Sequence, residues 1–182
     1  QYGPTDANAD LKPHLLKWHA AKDGVNLKGE QIQVLNGTQE GLHTMAYLFL
    51  DEEDSVALSE PAYPGAIAAF SAFTQRLIPI PVDAQGMVTG ELERILARKK
   101  AEGERLPKFV YDVPTGNNPA GVILSLERRR QLLQIASKYD LLILEDDPYQ
   151  LIQLEDRDPI PTLQSMDRED RVVRLDSFSK VF

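Results

Sequence analysis

Leu141-Leu-Ile-Leu-Glu-Asp-Asp-Pro-Tyr149, read with the segment Ser125 to Tyr139 before it, decides the fold. Residues 125–139 carry apolar side chains at helical spacing. They open on Ser125, a favoured N-cap residue type, with a glutamate two positions later, close to the capping-box spacing without meeting it. Leu141 to Leu144 is an apolar run that reads as a buried strand, and it empties into Glu145, Asp146 and Asp147. A helix feeding a buried strand is half of a βαβ unit.

The same alternation extends outward in both directions. Upstream, the spacing predicts helices over Leu11–Ala21, Thr38–Leu50, Gly65–Phe73 and Gly90–Ala101. It predicts strands over Gln31–Asn36, Ser55–Ser59, Arg76–Val82 and Lys108–Val113. Downstream, Val172 to Leu175 is a further buried strand. Strands alternating with helices of this length imply an α/β, three-layer fold on a mainly parallel sheet. No repeat interrupts it, and Ala101 to Pro107 is too short a linker to separate domains.

Composition narrows the function. The net charge of −8 makes the chain a poor partner for nucleic acid. Arg128-Arg-Arg130, a tight basic run inside a helical pattern, reads as a solvated helix face. Asp51-Glu-Glu-Asp54 and the acids of residues 167–171 read as exposed turns. With no cysteine there can be no disulfide or thiolate metal site. No apolar run approaches the length of a membrane span. The expected compartment is the cytoplasm, with a mitochondrial address left open because the chain does not begin at a methionine.

In open α/β sheets, ligands bind beyond the carboxyl ends of the strands. The segments there are Gly37-Thr-Gln-Glu-Gly41, Glu60-Pro-Ala-Tyr-Pro-Gly65, Pro114-Thr-Gly-Asn-Asn-Pro-Ala-Gly121, Glu145-Asp-Asp-Pro-Tyr149 and Asp176-Ser-Phe-Ser-Lys180. All are polar and turn-forming. Thr38 and Gln39 open a helix, which suits an anion, or Thr38 is a plain cap. Tyr63 can stack on a ring or pack locally. Asn118 can donate to a phenolate or simply form a turn before Pro119. Paired acids at a strand end can hold magnesium, but no second acidic cluster at a strand end supports a metal. His14, His19 and His43 lack metal-ligand spacing. Lys180 follows an apolar strand and two hydroxyl residues. An amine, a carboxylate and a phenol (Lys180, Asp146 and Tyr149) at neighbouring strand ends are what pyridoxal 5'-phosphate needs. The lysine forms its Schiff base, and the carboxylate keeps its ring nitrogen protonated.

The strings GTQEGL, EPAYPG, VPTGNNPAG, EDDPY and DSFSK, in this order, resemble the fold-type I pyridoxal-phosphate aminotransferases of class I/II. Within that class the 2-aminoadipate, kynurenine and aromatic aminotransferase branch is the most similar. The resemblance implies roles by position. Thr38, Gln39, Ser177 and Ser179 would hold the phosphate, and Tyr63 would stack on the ring. Asn118 and Tyr149 would donate to the phenolic oxygen, Asp146 would pair with the ring nitrogen, and Lys180 would be the Schiff-base lysine. Tyr2 resembles a tyrosine sent to the phosphate by the partner subunit, which implies a homodimer.

The implied reaction is transamination between an amino acid and a 2-oxo acid. The same resemblance leaves open a sensor domain of a transcription regulator and a C–S lyase on the same fold. Family members run to about twice this length. Residues 1–182 are therefore expected to be the large cofactor domain, incomplete, with the N-terminal segment and the small C-terminal domain absent.

Overall fold

The computed structural model describes residues 10–152 and 160–181. Tyr2 lies outside them. Strand β1 is Val56–Glu60, β2 is Leu77–Asp83, β3 is Gly86–Met87, β4 is Phe109–Asp112, β5 is Leu142–Asp146 and β6 is Val172–Leu175. They form one sheet in the order β3-β2-β1-β4-β5-β6. Every pairing is parallel except the short β2–β3 hairpin. Helices α1 (Leu11–Asp23), α2 (Thr38–Phe49), α3 (Pro64–Ser71), α4 (Thr89–Ala101), α5 (Leu126–Tyr139) and α6 (Leu163–Met166) complete the chain.

The layers follow from side-chain alternation along the strands. Val56, Leu58, Phe109, Tyr111 and Leu144 face α2 and α3, where they pack with Leu42, Ala46, Ala66 and Phe70. Ala57, Val110 and Ile143 point the other way, onto Leu92 and Leu96 of α4 and Leu132 and Ile135 of α5. Both faces are covered, as parallel sheets require, so the central strands read as nearly continuous apolar runs. Ser125 caps α5 as its residue type predicts, accepting from the Arg128 backbone N–H.

Three expectations need correction. Residues 32–36 are not a sheet strand. Ile32 has extended dihedrals, yet only a single 3-10 turn, Gly29–Gln31, precedes it and no ladder pairs it among the described residues. Alternation sets which way side chains point, but a strand also needs a neighbour for its backbone groups. The Arg128–Arg130 run is not a solvated face. Only Arg130 is exposed, whereas Arg128 makes a two-pronged pair with Asp83 and Arg129 is fully buried. Asp54 is also buried, because its carboxylate closes its own turn on the Asp51 N–H. Strand β3 and helix α6 add to the expected elements, both being shorter than any periodicity can reveal.

Candidate functional site

The parallel register brings the carboxyl ends of β1, β4, β5 and β6 to one edge: Leu58 stands opposite Tyr111, Asp112 opposite Glu145, and Asp146 opposite Leu175. Tyr63, Asn118, Tyr149, Ser177, Ser179 and Lys180 all follow those ends. Helix α2 joins the same edge although no strand precedes it among the described residues. A Cβ on Gly41 would lie 2.6 Å from a Leu175 methyl, so the first turn of α2 is seated against the end of β6.

Asp146 is the centre of this edge. It is 3% exposed and faces the α2–α3 side of the sheet, where it accepts a hydrogen bond of 2.9 Å from the Tyr111 hydroxyl on its Oδ2. Its other oxygen, Oδ1, is buried without a hydrogen-bond partner among the described residues. Burial pushes this carboxyl up to about 6, against the opposing effect of the Tyr111 hydrogen bond. Burial and the neighbouring Asp146 charge push the Tyr111 phenol up as well. A buried carboxylate with one oxygen unanswered suits a cationic donor, and a protonated ring nitrogen is one.

Around it, the ring-side residues are packed tightly. The Gln39 side-chain amide donates to the Gly65 carbonyl at 2.9 Å. A Cβ on Gly65 would lie 2.5 Å from the Tyr63 ring and 2.6 Å from Gln39 Oε1, so only glycine lets these two side chains meet there. Tyr149 sets its Cβ side against the Gly116 backbone, and Asn118 is half-buried in the same loop. The Ser177 and Ser179 hydroxyls lie 2.8 Å apart. Thr38 is the first residue of α2, not its cap; the cap position is Gly37, which offers no side chain. The Glu40 N–H turns back onto the Gly37 carbonyl at 3.2 Å, so the N–H groups of Thr38 and Gln39 are those left for an anion. Gly37, Thr38, Ser177 and Ser179 line one open cleft of about 610 Å³ along the outer side of β6. Tyr63, Asn118 and Asp146 lie outside its lining. Lys180 is exposed, in the turn after β6.

On the opposite face Glu145 is answered. Glu145 accepts from the Leu163 and Gln164 N–H groups of α6 at 2.8 and 3.0 Å. It also lies 3.8 Å from both Arg129 and Arg174. Asp147 is fully buried, and neither of its carboxylate oxygens has a hydrogen-bond partner among the described residues. Arg174 stands 3.6 Å away as its counter-charge, and burial pushes its carboxyl up to about 6. No group of three or more acids or histidines that could hold a metal forms among the described residues. The end of α1 is tied in from outside: Lys22 donates to Gln150, Gln150 donates to Asp23 at 3.1 Å, and Arg174 donates to Gln150 at 2.7 Å. His19 is packed edge-on to Trp18, and His43 edge-on to Phe73.

Sequence reasoning missed Tyr111, Ser59, Asp112, Arg129 and Arg174. Tyr111 carried a usable signal. It is two positions from Phe109 on the same strand face, and a buried tyrosine hydroxyl needs a partner. Finding Asp146 as that partner required the β4–β5 register, which no single sequence prints.

A family model described as aminotransferase class I and II matches residues 1–182. An aromatic-amino-acid aminotransferase of Thermococcus litoralis is 33% identical over all of this chain and 43% of its own length. The mitochondrial kynurenine/alpha-aminoadipate aminotransferase of Bos taurus is 41% identical over 80% of this chain and 35% of its own length. The kynurenine aminotransferase of Pyrococcus horikoshii, crystallised with PMP, superposes with a TM-score of 0.94 at 36% identity, over all of this chain and 44% of that one. The chain thus spans less than half the length of these relatives. None of them favours the sensor-domain or C–S lyase readings.

Proposed function

Since the chain belongs to the class I and II aminotransferases, we propose that the intact protein is a pyridoxal-phosphate-dependent aminotransferase. It exchanges the amino group of an aromatic, kynurenine-type or 2-aminoadipate-type amino acid with a 2-oxo acid. The observation that carries this reading is the buried Asp146 carboxylate. One oxygen is bound by Tyr111 and the other is left for a cation, at the edge of strand ends that Tyr63, Asn118, Tyr149 and Lys180 follow in the chain.

Bound cofactor supplies an electron sink for the charge left when a substrate loses its α-proton. The protein's own residues do the rest. Asp146 holds a proton on the ring nitrogen through Oδ1, and Tyr111 fixes the carboxylate for that task. Tyr63 covers the ring, and the tight packing at Gly65 sets its height. The Asn118 amide and the Tyr149 hydroxyl donate to the phenolic oxygen. Thr38, Gln39, Ser177 and Ser179 bind the phosphate together with the first N–H groups of α2. The Lys180 amine would hold the cofactor's aldehyde group and, when free of it, would move the α-proton. Residues 1–182 make up the large cofactor domain in this reading. The protein is a cytoplasmic homodimer in which the partner subunit sends its copy of Tyr2 to the phosphate.

Borohydride reduction of the cofactor-loaded intact protein, followed by peptide mapping, tests the assignment. The reduced cofactor is expected on Lys180, and Lys180→Ala should lose the visible absorbance band and transamination while keeping the fold. Cofactor recovered on any other lysine refutes it.

A further inference from the structure

We propose that Arg129 is a positioning residue: its guanidinium clamps the neck of the loop 114–124 and so fixes where Asn118 presents its amide. The proposal rests on the reading of the site given above. Arg129 lies in the first turns of α5 and is 1% exposed. Its Nε donates to the Leu124 carbonyl at 3.1 Å, and its Nη1 to the Pro161 carbonyl at 3.1 Å. Its Nη2 donates to the Pro114 carbonyl at 3.1 Å and to Thr115 Oγ1 at 3.2 Å. Both ends of the loop are therefore held by one planar group.

The loop is built to pass that constraint to its tip. Its neck is closed by the Leu124 N–H on the Pro114 carbonyl at 2.8 Å, the two residues whose carbonyls Arg129 grips. One rung further in, the Asn117 N–H meets the Val122 carbonyl at 2.8 Å. Asn118 stands at the tip beyond that rung. The same guanidinium reaches Pro161, just before α6, and lies 3.8 Å from Glu145, the neighbour of Asp146 in the chain. Arg129 thus relates the loop carrying Asn118 to the strand end carrying Asp146.

A buried arginine is costly to desolvate, and an apolar residue of similar volume often stabilises a fold as well or better. What the guanidinium supplies is direction. Its donors form a rigid planar fork, and four acceptors here match it. Lysine would keep the charge but present a compact tetrahedral ammonium that cannot span both ends of the neck.

The test uses the cofactor-loaded intact protein with Arg129→Lys, Arg129→Met, Asn118→Ala and the Arg129→Lys/Asn118→Ala double variant. The first readout is the pH midpoint of the visible band of the bound cofactor, which a donor to the phenolic oxygen tunes. Arg129→Lys and Arg129→Met should both move it in the same direction as Asn118→Ala. The double variant should match Asn118→Ala alone, because both changes act through one amide. The second readout is amide hydrogen exchange without cofactor. Residues 114–124 should exchange roughly tenfold faster in Arg129→Lys, the order expected for weakening a hydrogen bond to a charged group, while β1 and β4 stay protected. A midpoint unmoved in Arg129→Lys, in a wild-type protein that shows the band, overturns the proposal and leaves Arg129 a stability residue. A wild-type protein that takes up no cofactor overturns the reading of the site itself, and with it the positioning role. If Arg129→Lys does not fold, Thr115→Val, which removes one of the four acceptors, carries the test with the same two outcomes.

Discussion

Glu145 and Asp146 are consecutive buried acids on β5 that point to opposite faces of the sheet, and they are treated in opposite ways. Glu145 has two backbone donors from α6 and two arginines nearby. Asp146 has one phenol and an oxygen left over. Removing a charge from water costs several kcal/mol unless partners replace the water. On the Glu145 face the protein supplies those partners itself. On the Asp146 face it withholds one, and a ligand must complete the set. Burial alone does not separate a structural acid from a functional one, nor does an unfilled hydrogen bond. The Asp147 carboxylate also lacks hydrogen-bond partners among the described residues, but Arg174 stands 3.6 Å from it, whereas no ion pair joins Asp146 to a cation among those residues.

The largest expected effect comes from breaking the unanswered side. Asp146→Asn keeps the shape and the bond to Tyr111 but cannot hold a proton on a ring nitrogen. Turnover of the intact protein should fall by orders of magnitude, each tenfold corresponding to about 1.4 kcal/mol of barrier. Steady-state kinetics beside a melting curve decides the point. Near-normal turnover would transfer the role away from Asp146.

Breaking the answered side should do the reverse. Glu145→Leu strands Arg129 and Arg174 with less compensation and frees the first N–H groups of α6. Removing one partner of a buried ionic set costs about 3–5 kcal/mol. Denaturant unfolding of the intact protein should show that loss. A variant as stable as wild type would mean that the arginines, not Glu145, organise this face.

Much of this contrast was written in the sequence, and the part that was not has a physical reason. The strand Leu141–Leu144 and its acids were legible because a fully buried parallel strand leaves an unmistakable apolar run. Asp146, Tyr63, Asn118 and Lys180 stood out because they follow such runs. The chain did not reveal that residues 32–36 have no pairing neighbour among the described residues, since pairing depends on a distant segment. Nor did it reveal that Arg129 turns inward while Arg130 turns out, since both fit a charged helix face. Local pattern reports direction along one element; who answers whom across elements is a property of register.

The same contrast can be sharpened by pH. The Asp146 carboxyl is raised from 3.8 to about 6 by burial, so the folded state binds its proton more readily than the unfolded state. Its contribution is most favourable below about pH 4 and is lost as pH rises through about 6. Asp112 and Asp147 are shifted the same way. Burial pushes Asp23 up too, but His19, Lys22 and Gln150 together outweigh it and hold that carboxyl low. The Asp23 contribution is therefore present above about pH 4 and lost below it. Comparing cofactor-free Asp146→Asn with wild type isolates one group. The variant should gain little at pH 4 and increasingly more up to pH 6. The gain should approach about 3 kcal/mol, because each tenfold difference in proton affinity between folded and unfolded states is worth about 1.4 kcal/mol. A difference that stays flat across this range would show that Asp146 is not desolvated in the free protein.

The smallest effect should come from Ser59→Ala, on the Glu145 side of the sheet. Ser59 donates to Asp112 Oδ1 at 2.6 Å, and both residues are 2% exposed. Asn117 donates to the same oxygen at a longer 3.4 Å. Asp112 therefore links the end of β1, which leads to Tyr63, with the loop that carries Asn118. Deleting the hydroxyl leaves a buried carboxylate short of its closest donor, which costs about 1–3 kcal/mol. The cost should depend on pH. The Ser59 hydrogen bond opposes the burial that pushes Asp112 up to about 6, so its loss raises that value further. The variant should be most destabilised above pH 6, where the carboxylate is charged, and nearly as stable as wild type near pH 4, where it is neutral. Denaturant unfolding at the two pH values measures both arms. An equal loss at each would mean that Ser59 contributes by packing, and that the acids of this face owe their stability to the arginines alone.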